Sequence, residues 1–179
     1  MNAPETESFS ARMKAARAAK AAKVAALGMT PQEIFDKVAE HLFTQGVPSI
    51  NGRGQCVYRG QNGTSCAVGV LIPDEDYRPS MDETPINSTT LLGRFRSLAW
   101  LKPHAGLLGS LQRLHDDITL QNGPLYRHVI PELNPSPPPF DRKALAGHLH
   151  YVANSYRISG AIVDRMLALH PQTESVTAD

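Results

Sequence analysis

Apolar residues recur at helical spacing along five stretches of the chain and at near-alternate spacing along one. The clearest helical pattern runs over Thr30–Gln45. There Ile34, Val38, His41 and Leu42 make one stripe, with Phe35 and Ala39 beside it. Thr30 can cap this helix, Pro31 takes its first position, and Glu33 completes a capping box. Met29 and Ile34 have staple spacing, and Gly46 ends the pattern. Leu91, Leu92, Phe95, Leu98 and Ala99 predict a helix over Ser88–Trp100, broken by Lys102-Pro103. His104–Gln121 reads as the next helix, with Leu107, Leu108, Leu111, Leu114 and Ile118 inside and Asn122-Gly123-Pro124 as its stop. Phe140 and Leu145 then flank an Asp141 cap, and Leu145, Leu149, Val152 and Tyr156 form a stripe. A short last helix over Ser159–Leu169 ends at His170-Pro171.

The exception lies between the first two helices. Gln55–Arg59 and Ser65–Ile72 are rich in β-branched and aromatic residues, and Gly60-Gln61-Asn62-Gly63 separates them. Two registers fit. A two-residue Asn62-Gly63 turn pairs Gln61 with Thr64. A three-residue Gln61-Asn62-Gly63 loop pairs Gly60 with Thr64 and Tyr58 with Cys66. The second gives the cleaner apolar face, made of Cys56, Tyr58, Cys66, Val68, Val70 and Ile72. It sets Cys56, Tyr58 and Val68 against the Thr30–Gln45 helix. The expected fold is therefore α+β, a small antiparallel β-hairpin sheet packed against several α-helices. Its parts would be a basic extension (1–28), a core of hairpin plus helices (29–133), a stiff NPSPPP linker (134–139), C-terminal helices on that core (140–171) and a polar tail (172–179).

The stretch CVYRGQNGTSCAVGVLIPDEDY, together with FDKVAEHLFTQG before it, resembles a group of small uncharacterised proteins of tailed phages and prophages. The similar part runs from about Met29 to Met81, with a weaker echo at LQRLHDD. The resemblance implies a phage or prophage origin and supplies no catalytic residue.

Composition narrows the picture. The chain has 179 residues, 41% of them hydrophobic, and a formal net charge of +1, which lacks the overall basic signature of a nucleic-acid-binding protein. No apolar run is long enough to span a membrane, no signal-peptide core opens the chain, and two cysteines do not make a disulfide framework. The expected compartment is the cytoplasm. The charge is polarised, however. Arg12, Lys14, Arg17, Lys20 and Lys23 stand in an alanine-rich helix former near the start, while the remainder is slightly acidic. These five cations are the candidate binding residues, for weak nucleic-acid contact or an acidic partner.

The candidate chemistry centres on Cys56, Cys66 and His115. A cysteine-dependent hydrolase would use Cys56 or Cys66 as nucleophile and His115 as base. GQCVY resembles the GQC-W-Y opening of Cys-His amidase domains, but in those the cysteine starts a helix, where the dipole favours thiolate. Here Cys56 falls on a predicted strand, and tyrosine stands two places after it. The same three residues are the candidate zinc ligands, although the two cysteines lack zinc-knuckle spacing. Adjacent helical residues diverge by about 100°, which argues against His115 and Asp116 sharing an ion. Asp74, Glu75 and Asp76 lack calcium-loop spacing. No cofactor is expected. The leading expectation is a non-catalytic accessory protein that binds a host or phage macromolecule, with the cysteine hydrolase as the alternative.

Overall fold

The computed structural model describes residues 28–82, 84–86, 89–121 and 137–171. Five α-helices lie among them: α1 (Pro31–Gln45), α2 (Thr89–Arg94), α3 (Ala105–Gln121), α4 (Arg142–Tyr156) and α5 (Ala161–Leu169). Helix α1 starts and stops on the predicted residues. The Thr30 hydroxyl accepts from Glu33 N–H, the Glu33 carboxylate accepts from Thr30 N–H at 2.7 Å, and Gly46 closes the helix in the left-handed region at φ 69°. Its stripe of Ile34, Phe35, Val38, Ala39, Leu42 and Phe43 is completely buried. Helix α4 is capped by the Asp141 carboxylate, which accepts from the N–H groups of Lys143 and Ala144. Helix α1 packs on α5 and on a 3₁₀ turn at Gly69–Leu71, while α3 packs on α4 and α4 on α5.

The second predicted helix is shorter than expected. It ends at Arg94, Phe95 is extended, and a 3₁₀ stretch runs over Arg96–His104 into α3. Pro103 does not break the chain there. It lies inside that stretch, next to its last residue, His104.

The expected α+β fold with its β-hairpin sheet is not formed. Among the described residues there is no strand, only isolated antiparallel bridges at Ile50–Cys56 and Arg59–Ser65. The loop does close with Gly60 paired to Thr64, and Cys66 N–H reaches the Tyr58 carbonyl at 3.2 Å. The ladder stops there for two reasons. The two groups that should make the next rung are taken elsewhere: Tyr58 N–H donates to Asp82 (2.6 Å) and the Cys66 carbonyl accepts from Val70 N–H (3.3 Å), while the outward-facing Ser65 N–H and carbonyl are held by Gln45 and the His41 ring. With those groups satisfied elsewhere, a sheet has nothing left to supply. In addition Cys66, Ala67 and Val68 are buried one after the other, whereas a half-buried strand alternates. The chain instead turns at Val68 into the Gly69–Leu71 helix. What lies between α1 and the rest is thus an irregular segment, 47–72, held by side-chain hydrogen bonds.

Candidate functional site

The local geometry of that irregular segment presents Cys56. Asn51 folds an Asx turn: its Oδ1 accepts from Arg53 N–H (2.9 Å) and Gln55 N–H (3.1 Å), and Gly54 takes φ 72°. The Ile50–Cys56 bridge closes this loop and turns Cys56 towards α3. The hairpin register set Cys56 against α1, whereas its thiol lies against Asp116 and Thr119 of α3. Helix α3 contributes Gln112, His115, Asp116 and Thr119, which share one face at helical spacing.

A continuous polar network joins these groups. The Cys66 thiol donates to Gln112 Oε1 at 3.0 Å and accepts from Gly69 N–H at 3.3 Å. Gln112 Nε2 donates to Asp116 Oδ1 at 2.8 Å. The same carboxylate oxygen lies 3.1 Å from His115 Nδ1, while His115 Nε2 accepts from Ser49 N–H at 3.2 Å. Because Nε2 accepts, the ring is neutral and its proton sits on Nδ1, donated to Asp116. His115 is completely buried, edge-on to Phe140 with ring centres 6.0 Å apart. Cys56 is only partly buried, and its thiol lies against Asp116 and Thr119.

Both thiols hold their protons. Burial, and then the Asp116 carboxylate, push Cys56 up to about 12. Burial pushes Cys66 up to about 12 as well, against the opposing pull of the Gly69 and Val68 N–H groups. Burial also lowers the His41 imidazole, with the Ser65 carbonyl working the other way.

The sequence candidates are thus only partly brought together. Cys56 and His115 converge, but with Asp116: a ligand atom from each lies within 4.8 Å of the others. Cys66 is outside that group and engages Gln112 instead. The divergence of adjacent helical residues does not keep the tips of His115 and Asp116 apart, because the ring edge and the carboxylate turn together to 3.1 Å. Gln112 and Ser49 escaped the sequence reading. Gln112 stands one turn before Asp116, a spacing that could have pointed to it, whereas Ser49 enters through its backbone and left no signal. The exposed Asp74 carboxylate pairs with Arg59 at 2.8 Å. The basic residues Arg12, Lys14, Arg17, Lys20 and Lys23 lie outside the described residues, as do the connector 122–136 and the tail 172–179.

Two clefts flank Cys56. One, of about 340 Å³, is lined by Cys56, Tyr58, Asp82, Gln112, Arg113 and Asp116, among others. The second, of about 550 Å³, shares Cys56, Val57 and Asp82 with it and adds Arg53 and Arg59. The acids of these clefts are used internally: Asp82 accepts from Tyr58 N–H and Tyr77 Oη, and Asp116 accepts from Gln112 and His115. Among the described residues Arg113 donates to the Ser110 hydroxyl at 3.2 Å, while Arg53 has no side-chain partner.

No family model, curated protein or solved structure matches the chain. Among the described residues no helix is long and apolar enough to cross a membrane.

Proposed function

We propose that this chain is a non-catalytic accessory protein of phage or prophage type, acting in the host cytoplasm by binding a host or phage protein. The observation that carries the reading is the state of His115. One ring nitrogen donates to Asp116 and the other accepts from Ser49, so neither is placed to take a thiol proton. A Cys-His hydrolase needs that free nitrogen, and the convergence of Cys56, His115 and Asp116, which would otherwise favour the enzyme, does not provide it. The high thiol affinities for protons point the same way.

The paired clefts beside Cys56 are the binding face. Their carboxylates are engaged within the fold, and Arg53 and Arg113 remain to meet the partner. The partner surface is therefore acidic. Full-length protein should retain a specific acidic protein from phage-infected host cells, and the double variant Arg53→Glu/Arg113→Glu should bind it at least about tenfold more weakly without a change in melting temperature. Retention untouched by the charge reversal would remove the clefts from the binding face. Turnover of an ester or amide substrate that disappears in Cys56→Ser would overturn the non-catalytic reading itself.

A further inference from the structure

Cys56, His115 and Asp116 offer sulfur, nitrogen and oxygen donors from two elements, the Asn51 loop and α3, with one ligand atom from each inside 4.8 Å. We propose that these three residues bind a divalent cation of the zinc class, with the fourth coordination position open to the cleft. This goes beyond the binding role above and does not depend on it.

The donor set selects the ion. Thiolate with imidazole and one carboxylate suits zinc or cobalt, and is wrong for magnesium or calcium, which take oxygen ligands. Tetrahedral bonds to zinc set neighbouring donors about 3.3–3.6 Å apart. His115 Nδ1 and Asp116 Oδ1 lie 3.1 Å apart in a hydrogen bond, so the carboxylate has to turn off the Nδ1 lone pair and the Cys56 thiol has to close in for an ion to enter among the three donors. Three protein ligands leave the fourth position to a water molecule or to a donor group of the bound partner. The opening faces the cleft that Cys56 and Asp116 line.

The protons and charges balance. On binding, the Cys56 thiol loses its proton to solvent. His115 stays neutral, its proton moving from Nδ1 to Nε2. A thiolate and a carboxylate then neutralise the two charges of the cation, so that a half-buried site holds no net charge. The relocated Nε2–H needs an acceptor, and Ser49 can supply it. Ser49 is completely buried, and its Oγ is the buried side-chain oxygen without a hydrogen-bond partner among the described residues. Ser49 N–H, which now meets Nε2, must swing aside for this to happen. Gln112 Nε2, fixed on Asp116 Oδ1 at 2.8 Å, orients the ligand carboxylate from behind.

The test uses full-length protein treated with chelator and titrated with cobalt(II) as an optical probe, followed by zinc competition. One ion per chain should bind, with a thiolate-to-cobalt charge-transfer band. Cys56→Ser should abolish the band, and Asp116→Asn should weaken binding at least about a hundredfold. Cys66→Ser, whose thiol lies outside the cluster, should bind as the wild type does. Circular dichroism on each variant confirms that the fold persists. Absence of a thiolate band in the wild type would overturn the site, as would equal loss of the band in Cys66→Ser.

Discussion

Gly69→Ala is expected to cost about 3 kcal/mol or more, measured by chemical denaturation. A Cβ at this position would enter the Tyr58 carbonyl, with the carbonyl carbon at 2.8 Å. A flexible neighbour could yield, but Tyr58 is pinned from three directions. Its N–H donates to Asp82, its carbonyl accepts from Cys66 N–H, and its hydroxyl donates to the Thr84 carbonyl at 2.8 Å. The added methyl therefore has to break the contact between the two arms of the segment. Gly147→Ala is the control. A Cβ at that exposed site in α4 meets nothing within 4 Å, and the change should stabilise by about 0.5–1 kcal/mol through helix propensity. A loss at Gly69 no larger than that gain would show that the 47–72 segment is not packed as described.

His115→Ala is expected to destabilise the protein by about 3 kcal/mol, the combined effect of a cavity beside Phe140 and an orphaned buried donor on Ser49. The local signature separates this account from a general loosening. In the wild type the Ser49 amide is tied to His115 Nε2 and should be protected from hydrogen exchange. In the variant it should exchange at least about tenfold faster than the neighbouring amides of α1. Unchanged protection of Ser49 would mean that His115 does not hold the segment.

The helices were legible because local rules and burial agree there. At α1 the Thr30–Glu33 box, Pro31, the stripe and Gly46 all give the same boundaries. At α4 the Asp141 cap and the Leu145, Leu149, Val152 stripe do the same, although Tyr156 at the end of that stripe stays partly exposed and meets Ser110. The Gln55–Ile72 stretch misled because β-branched composition reports burial as much as strand. Val57, Val68 and Ile72 are indeed buried, but in an irregular path whose backbone donors end on Gln45 and Asp82. Those partners lie 20 and 24 positions away, and no local pattern announces them. The same holds for the site. Cys56 and His115 stood out by residue type, but their meeting with Asp116 depends on a loop closed by Asn51 and on the direction in which α3 faces it.

The two cysteines are protonated, Cys66 within the hydrogen-bonded network and Cys56 against Asp116, and neither is an activated nucleophile. Alkylation of chelator-treated, native full-length protein across pH tests this directly. Thiols pushed up to about 12 leave very little thiolate at neutral pH, so both should react at least about a hundredfold more slowly than in denaturant, with no plateau below the ordinary thiol range near 8.5. A cysteine that reacts rapidly near neutral pH, and slows when His115 is replaced, would contradict it.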